Sequence, residues 1–149
     1  MQIRQAVEAD QAVISAMVRA AQLNPINVRW QNFQVAVEDD GRIAGVGQLR
    51  PHKDGSLELA SLAVLPACQH RGIGSRLMQA LMAERRPPIY LFCEQELAEF
   101  YDRFGFKPVD AKSLPAPLAR LFWAGSMIKR IDRLLGRSST RLIGMRWDG

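Results

Sequence analysis

The sequence feature that most directly suggests chemistry is a loop with two glycines, residues 69–74, within a strand–loop–helix element that spans Leu57 to Glu84. The first backbone N–H groups of a helix have no intrahelical partner and lie at the positive end of its dipole. Gly72 and Gly74 lack side chains that would block an anion, and Arg71 adds a mobile cation at the rim. The loop therefore predicts a site for a phosphate or a pyrophosphate.

Two familiar phosphate loops do not match this element. A Walker A loop ends in Gly-Lys-Ser or Gly-Lys-Thr, which the sequence lacks. A dinucleotide fingerprint needs a third glycine after a strand near the start of a domain, whereas this loop follows a series of antiparallel strands in mid-chain. The remaining alternative is a plain strand–turn–helix connection whose glycines only turn the chain.

The elements that position this loop follow from hydrophobic periodicity and from turn residues. Asp10 is the expected N-cap of the first helix, and Asp39-Asp40-Gly41 and Lys53-Asp54-Gly55 are expected hairpin turns. The strand before the glycine loop is apolar except for Glu58 and Ser61, as in a central strand covered on both faces. The predicted strands are residues 2–5, 33–38, 42–49, 56–65, 89–93, 106–109 and 140–147, and the predicted helices are residues 10–22, 72–85, 96–104 and 117–135.

This order of elements predicts a single mixed α/β domain over residues 1–149. Three consecutive antiparallel strands precede the glycine loop, and helices alternate with strands after it. We therefore expect a mostly antiparallel mixed sheet with helices on both faces. The helix residues expected to face inward are Val13, Ile14, Met17, Val18, Ile73, Leu77, Ala80, Leu81, Leu97, Phe100, Tyr101 and Phe104.

The composition limits the class of protein. Apolar residues make up 48% and charged residues 23% of the chain, the balance of a soluble globular protein. Two cysteines, Cys68 and Cys93, are too few for a disulfide scaffold or a four-ligand zinc site, and their apolar surroundings favour buried thiols over nucleophiles. We expect no metal. The first residues lack the apolar core of a signal peptide, and no apolar run is long enough to span a membrane, so we expect a cytoplasmic protein.

Three blocks of the sequence together resemble the GNAT superfamily of N-acetyltransferases. Gln69-His70-Arg71-Gly72-Ile73-Gly74 matches the Gln/Arg-x-x-Gly-x-Gly/Ala pattern of that family, and the preceding LELASLAVLP is similar to its central strand. The block IYLFCEQELAEFYDRFGFKPV is similar to its second motif, in which a strand precedes a helix with a Phe-Tyr pair and a Gly-Phe opens the next strand. The resemblance covers residues 1–110 and the last strand, and it implies a sheet splayed at its centre.

The resemblance implies acetyl-CoA as the co-substrate. Backbone amides of His70–Ser75 would hold the pyrophosphate, and a bulge in the central strand would free backbone groups of residues 62–64 to pair with the pantetheine arm. A backbone N–H of the same segment would polarise the thioester carbonyl and stabilise the oxyanion. The residues assigned to the co-substrate are Leu62, Ala63, Val64, Gln69, His70, Arg71, Gly72, Ile73, Gly74, Ser75 and Tyr101.

The resemblance also implies direct acetyl transfer to an amine, which needs a base and an acid. Tyr101 matches the family's thiol-protonating tyrosine, the alternative being a core aromatic of its helix. Glu58 is the candidate base and acceptor contact, since partial burial would raise its pKa, unless it faces solvent near the hairpin end. Arg29 and Trp30 lie in the loop that borders the acceptor cleft in this family, where they would recognise the acceptor or only close the first helix pair. His52, in a turn, is expected to be idle.

The main departure from the family is a helical insertion at about residues 111–139, before the last strand. Residues 111–149 contain eight Lys or Arg and only two Asp or Glu. The residues expected to form one apolar stripe are Leu118, Leu121, Phe122, Trp123, Met127, Ile128, Ile131 and Leu135, and those of a separate basic face are Lys129, Arg130, Arg133 and Arg137.

Three interpretations of this helix stay open. It packs on the domain with a solvated basic face, it forms a lid or homodimer element beside the acceptor cleft, or it contacts an anionic membrane surface through residues 115–137. Nucleic acid also fits a basic patch, but the sequence has no stacking platform or base-reading motif to support it.

The sequence thus predicts an acetyl-CoA-dependent N-acetyltransferase whose acceptor is a primary amine of a small molecule or a peptide. The rival hypothesis is a non-catalytic module of the same fold that senses CoA or docks to a membrane surface. The identity of the acceptor and the oligomeric state stay open at this level.

Overall fold

The computed structural model describes residues 1–83 and 85–149, so Glu84, the last residue of the predicted strand–loop–helix element, lies outside the described residues. Within these ranges the strands and α-helices follow one another in the predicted order. The strands are β1 (Gln2–Gln5), β2 (Phe33–Val37), β3 (Ile43–Pro51), β4 (Leu57–Val64), β5 (Ile89–Glu94), β6 (Lys107–Val109) and β7 (Leu142–Trp147). The α-helices are α1 (Gln11–Ala20), α2 (Ile73–Met82), α3 (Ala98–Asp102) and α4 (Ala116–Leu134).

The chain forms two compact units. The first comprises Met1–Arg50 and Leu59–Arg85, and the second comprises Pro51–Glu58 and Arg86–Gly149. In the first unit the strand order is β1-β2-β3-β4, with antiparallel β1/β2 and β2/β3 pairs. In the second unit the order is β5-β7-β6, with both pairs antiparallel. The mostly antiparallel mixed α/β class is therefore confirmed.

In the first unit, a helix covers each face of the sheet. Helix α1 packs on one face through Ile14, Met17 and Val18, while Val13 is 44% exposed and does not join them as predicted. Helix α2 packs on the other face through Ile73 and Leu77. The buried cluster under α1 also contains Ala6, Phe33, Val35, Ile43, Val46 and Ala63, and the cluster under α2 contains Ala36, Ala44 and Cys68.

Two strand glycines allow α2 to lie close to β3. A Cβ built on Gly45 would stand 2.9 Å from Ile73 Cγ2 and 3.0 Å from Leu77 Cδ1. A Cβ on Gly47 would stand 2.9 Å from Leu81 Cδ1. All three helix residues are buried, so their side chains or the helix itself would have to shift to admit a larger side chain.

Asp10 does not cap α1 as predicted. Asp10 precedes α1, but its carboxylate makes no capping hydrogen bond to that helix. It accepts instead from Arg4 Nη1 at 2.7 Å, from Arg4 Nη2 at 3.1 Å and from Val7 N at 2.8 Å. The Arg4 guanidinium holds the pKa of the Asp10 carboxyl below its usual value. The buried carboxylate therefore ties β1 to the turn before α1 through charge-assisted hydrogen bonds.

The boundaries of α2 and α3 also differ from the sequence prediction. Helix α2 ends at Met82 rather than near Arg85, because Ala83 already has an extended backbone with ψ of 131°. Helix α3 is shorter than predicted, and Leu97, which precedes it, is 47% exposed rather than facing inward. Gly105, which follows it, has a φ of 87°, the left-handed conformation expected of a glycine cap.

In the second unit, α4 packs on the sheet mainly through its N-terminal half. Leu118 is fully buried against Tyr90 and Leu114, and Phe122 lies 5.7 Å from Phe92 between ring centroids. A Cβ on Gly125 would meet Leu142 Cδ2 at 2.9 Å, so the middle of the helix also lies close to β7.

The single apolar stripe predicted for α4 is wrong. Ile128, Ile131 and Leu135 are 61%, 52% and 58% exposed, and they do not continue the face that Leu118 buries. Successive residues of an α-helix are about 100° apart, which turns these side chains away from the sheet. The interpretation in which α4 packs on the domain with a solvated basic face stays open, because Leu118 is buried and Arg130 and Arg133 are exposed, but exposed apolar residues accompany those arginines.

Among residues 1–83 and 85–149, no helix has both the length and the apolar content needed to cross a bilayer.

We expect Gly45→Ala to destabilise the protein by about 1–3 kcal/mol, because the added methyl group must displace Ile73 and Leu77 in a packed core. Chemical denaturation followed by circular dichroism measures this change. Gly144→Ala in β7 is the matched control, because Gly144 is also a buried strand glycine but its nearest neighbour to an added Cβ lies at 3.5 Å. An equal loss of stability in both variants would contradict the close contact of α2 with β3.

Candidate functional site

The predicted phosphate loop leads into α2 through two residues with left-handed backbone. A 3-10 turn over Pro66–Cys68 follows β4, and Gln69 is extended. His70 has a φ of 62°, and Gly72, the residue before α2, has a φ of 75°. Left-handed backbone costs a non-glycine residue about 1–2 kcal/mol. The chain thus holds a tight reversal at this position, which directs it into the N-terminus of α2.

The N-terminus of α2 is accessible to a ligand. Within the described residues, no side chain caps its first turn, and the first turn contains no acidic residue. A Cβ built on Gly72 would have no atom within 4 Å. The amides of Ile73, Gly74 and Ser75 therefore retain the donor capacity and the positive dipole end that bind anions, and the loop suits a diphosphate.

Two of the three polar side chains of the loop, Arg71 and Gln69, are engaged within the first unit. Arg71 forms a two-pronged ion pair with Glu38, with Nη1–Oε1 at 2.7 Å and Nη2–Oε2 at 3.4 Å. It was expected to be a mobile cation, and this contact is the correction. Gln69 Nε2 donates to the carbonyl oxygen of Val64 at 3.3 Å. Arg71 is half exposed whereas the Glu38 side chain is only 14% exposed, so solvent screens this ion pair mainly on the guanidinium side.

Strand β4 contains a left-handed residue at its middle. Ser61 has a φ of 55°, a conformation typical of β-bulges. Its hydroxyl accepts a hydrogen bond from Gln48 Nε2 of β3 at 2.9 Å. Beyond this point Ala63 is buried, whereas Leu62 and Val64 are half-buried. The distortion lies next to the segment to which the resemblance assigns pantetheine contacts.

Gln48 is a polar residue in the core that sequence reasoning missed. Its side chain is fully buried, and its Oε1 accepts no hydrogen bond within the described residues. Gln48 and Arg50 occupy alternate positions of β3, so they lie on the same side of that strand. The sequence did contain a signal for this pair, because two polar residues at alternate positions stand out in an otherwise apolar strand.

Glu58 is buried rather than facing solvent. Only 6% of it is exposed, and its Oε2 lies 2.8 Å from Nε2 of His52. His52 is therefore not idle as predicted: the turn between β3 and β4 folds its ring back onto the carboxylate. The turn is held by His52 N donating to Ser56 O and by Asp54 accepting from Ser56 N. A histidine in this position orients a carboxylate and can exchange a proton with it.

Tyr101 is packed in the aromatic part of the second unit. Its ring makes edge contacts with Phe100 at 5.0 Å and with Phe106 at 6.4 Å. Burial raises the pKa of the Tyr101 phenol well above its ordinary value, and the nearby Cys93 thiol adds to this. The phenol therefore stays protonated at neutral pH, which is the state required of a proton donor.

The two thiols are unsuited to nucleophilic chemistry. Cys68 and Cys93 are both buried, and Cys93 Sγ lies 3.8 Å from Met145 Sδ. Burial raises the pKa of the Cys93 thiol to about 11, with a further contribution from Glu94. The thiolate needed for attack is therefore scarce at neutral pH. In the described part of the chain, no group of three His, Cys, Asp or Glu residues is arranged to hold a metal ion.

The loop after α1 holds Arg29 and Trp30 in different environments. Trp30 is half-buried and packs against the α1 cluster, and its backbone N–H donates to Gln11 Oε1 at 2.9 Å. Gln11 Nε2 also donates to Val28 O at 3.0 Å, so one α1 side chain fixes this loop. Arg29 is exposed. Trp30 thus serves packing, and Arg29 is the residue of this pair whose side chain can meet a ligand.

We expect Tyr101 to lower stability at alkaline pH. Above about pH 10 the Tyr101 phenol loses its proton in the unfolded protein but keeps it in the folded protein. Folding then requires uptake of a proton, which becomes less favourable as the pH rises. The free energy of unfolding should fall by about 1.4 kcal/mol per pH unit in this range, relative to Tyr101→Phe. Urea denaturation of both proteins at a series of pH values measures the difference. Parallel pH dependence of the two proteins would contradict a buried, protonated phenol.

Comparisons with solved structures reveal close similarity of fold. N-acetylglutamate synthase from Neisseria gonorrhoeae, solved with coenzyme A and N-acetyl-glutamate, aligns with a TM-score of 0.72 and 21% identity over 97% of this chain, which spans only 34% of that protein. Rv2747 from Mycobacterium tuberculosis, solved in complex with CoA, aligns with a TM-score of 0.71 and 21% identity over 100% of this chain and 99% of that one. Escherichia coli ElaA aligns with a TM-score of 0.66 and 15% identity over 98% of each chain.

At these identities the similarity establishes the fold. No curated protein sequence matched the chain significantly. The model of the acetyltransferase (GNAT) domain, however, matches residues 29–108, more than half of the chain. The matched region includes β4 with its distortion at Ser61, the accessible N-terminus of α2 and the helix that holds Tyr101. The chain therefore belongs to the GNAT family of acetyltransferases, whose co-substrate is acetyl-CoA.

Proposed function

We propose that this protein is an N-acetyltransferase that moves the acetyl group of acetyl-CoA directly to a primary amine of a small molecule or a peptide, in the cytoplasm. The observation that supports this most is the uncapped N-terminus of α2, with left-handed Gly72 before it, inside a region that matches the GNAT domain. This element suits a diphosphate, and acetyl-CoA supplies both the diphosphate and the activated acetyl group.

We assign the co-substrate to residues of β4 and of the loop into α2. The amides from His70 to Ser75 hold the pyrophosphate, and Arg71 exchanges Glu38 for a phosphate oxygen. The backbone of Leu62, Ala63 and Val64 pairs with the pantetheine arm. One N–H of that segment polarises the thioester carbonyl, a contribution that strengthens as negative charge develops on its oxygen. The left-handed residue at Ser61 supports this assignment, because a bulge redirects the backbone groups that follow it.

Two side chains move the protons. Glu58 accepts a proton from the acceptor ammonium so that the amine can attack the thioester carbonyl. His52, a positioning residue in contact with Glu58 Oε2, keeps that carboxylate oriented. Burial keeps the Tyr101 phenol protonated before the reaction, and Tyr101 donates this proton as negative charge develops on the departing sulfur. The C–S bond breaks as the amide C–N bond forms. Of the two protons that the ammonium nitrogen loses, the first goes to Glu58 and from there to solvent, and the second restores the phenol of Tyr101 after it has protonated the thiolate.

Direct transfer is supported by the state of the thiols. A covalent route would require an enzyme nucleophile, and both cysteines are buried, with the pKa of Cys93 raised to about 11. We therefore expect no acetylated enzyme when the protein is mixed with acetyl-CoA alone, as judged by intact-mass spectrometry.

Amino acids are the first acceptors to test. The Neisseria synthase was solved with N-acetyl-glutamate, the product of acetylating an α-amine. In this chain, Arg29 is exposed in the loop after α1 and offers a cation to an acceptor carboxylate. Glutamate and glutamine therefore head an acceptor panel that continues with polyamines, aminoglycosides and peptides.

We expect Gly74→Glu to weaken acetyl-CoA binding by about tenfold or more, because a carboxylate then faces the diphosphate at the positive end of α2. Isothermal titration calorimetry with CoA measures the affinity. Gln79→Glu is the matched control, since it adds the same charge to an exposed position of the same helix. Unchanged affinity in a folded Gly74→Glu protein would contradict the assigned diphosphate site.

We expect Tyr101→Phe and Glu58→Gln each to lower kcat by about 100-fold or more with little change in CoA affinity, because each removes a proton-transfer group. Release of CoA, measured with a thiol reagent across the acceptor panel, gives the rates.

The rival hypothesis makes a different prediction for the same proteins. A non-catalytic CoA sensor would bind acetyl-CoA with wild-type affinity, lose binding in Gly74→Glu, and acetylate none of the acceptors. Turnover at unchanged rates in both Tyr101→Phe and Glu58→Gln would instead leave the fold and the co-substrate intact but refute the two assigned proton-transfer groups.

A further inference from the structure

Helix α4 has one face that packs on the sheet and one face that is exposed to solvent. Its inner face, with Leu118, Leu121 and Phe122, packs on β5 and β7 of the second unit. At about 100° per residue, Met127 falls on the side of the helix opposite Leu118. Lys129, on the inner side, forms an ion pair with Glu94 and lies 3.4 Å from Thr140 Oγ1. These contacts fix how α4 is rotated, so the outer face is set by the fold.

The outer face of α4 is a large exposed apolar surface. Its members are all more than half exposed, up to 80% for Leu134. Isolated exposed apolar residues are common, but a contiguous set on one face marks an interaction surface. We call this surface the outer stripe; it consists of Trp123, Met127, Ile128, Ile131, Leu134 and Leu135.

Basic residues accompany the outer stripe. Arg120, Arg130 and Arg133 are exposed on the same helix, and Arg137 is exposed just after it. An open groove at this end of the helix is lined by Arg133, Arg137 and the segment from Ser138 to Thr140. Asp132, the single acidic residue of α4, is half-buried on the inner side. The surface therefore combines apolar area with an uncompensated positive charge.

We propose that the outer stripe docks this protein on an anionic lipid bilayer. A helix of this kind lies in the plane of the interface, with its apolar side chains at the acyl boundary and its arginines among the headgroups. Each arginine near such a surface gains attraction from the negative potential of the anionic lipids. Trp123 at one edge of the stripe is suited to the interface, where its ring is apolar and its N–H can stay hydrated.

The charges favour lipid over two other occupants. Pairing of two copies through the outer stripe would bring Arg120, Arg130 and Arg133 of both chains together without acidic partners on that face, and like charges at an interface are unfavourable. A nucleic acid would satisfy the arginines but would leave the apolar side chains in water. Anionic lipid is the partner that matches both components of the surface.

The experiment uses the full chain and vesicles of phosphatidylcholine with and without phosphatidylglycerol, in co-sedimentation at low and high salt. Met127→Gln/Ile131→Gln removes apolar contact, and Arg130→Glu/Arg133→Glu reverses the charge. Matched controls on α1 are Val13→Gln and Arg19→Glu, because Val13 is an exposed apolar residue and Arg19 an exposed arginine of another helix. Circular dichroism checks that each variant is folded.

We expect the wild type to sediment with anionic vesicles and to bind phosphatidylcholine alone only weakly. Each α4 double variant should lose about tenfold or more in partition coefficient, while both α1 controls behave as wild type. Tryptophan emission should shift to shorter wavelength on binding, and Trp123→Phe should remove this shift.

Three results would overturn the proposal. Wild-type protein could stay in the supernatant at low salt with anionic vesicles. Binding could depend on the arginines but not on Met127 and Ile131, which would indicate a purely electrostatic polyanion site. The α4 variants could instead convert a dimer to a monomer in sedimentation velocity without altering vesicle binding. Transfer of acetyl groups to a soluble amine is independent of these outcomes, so the membrane proposal and the proposed activity fail separately.

Discussion

Helix α2 touches strand β3 at Gly45 and Gly47, and the proposed co-substrate site depends on that contact. With no Cβ at these positions, Ile73, Leu77 and Leu81 lie directly on the strand and fill the core beneath it. Ile73 is also the first residue of α2, so the packing that buries it determines where the N-terminal amides emerge. A helix end held in this way offers a rigid set of donors to an anion, without the entropy cost of ordering a loop on binding.

Polar groups in apolar surroundings are the second theme of the structure. Glu58 has His52 within hydrogen-bond distance, and Gln48 donates to Ser61 at a point where β4 is left-handed. Buried polar groups and non-glycine residues with positive φ both cost free energy, and such costs are typically found at functional sites. Both features lie in the region that matches the GNAT domain. Their placement is consistent with a strand pair shaped for chemistry as well as for stability.

Helix α4 buries apolar side chains along only half of its length. Its N-terminal half contributes Leu118 and Phe122 to a core, whereas its C-terminal half leaves Ile131 and Leu134 in solvent. Within each set the apolar residues are three or four positions apart, which is the spacing of a helical stripe. The sequence pattern therefore does not distinguish the two sets. The ion pair of Lys129 with Glu94 and the contact of Gly125 with Leu142 select which side faces the sheet.

The sequence by itself determined the order and type of the elements, the left-handed glycine after α3 and the glycine loop before α2, because hydrophobic period and turn residues are local properties. It also indicated the family through three ordered blocks. Only the tertiary structure decided which partners the charged and polar groups take: Arg4 for Asp10, Glu38 for Arg71 and His52 for Glu58. Those choices depend on which strand or turn passes within about 3 Å of a side chain. Distance between elements is set by packing of the whole chain, and no short stretch of sequence specifies it.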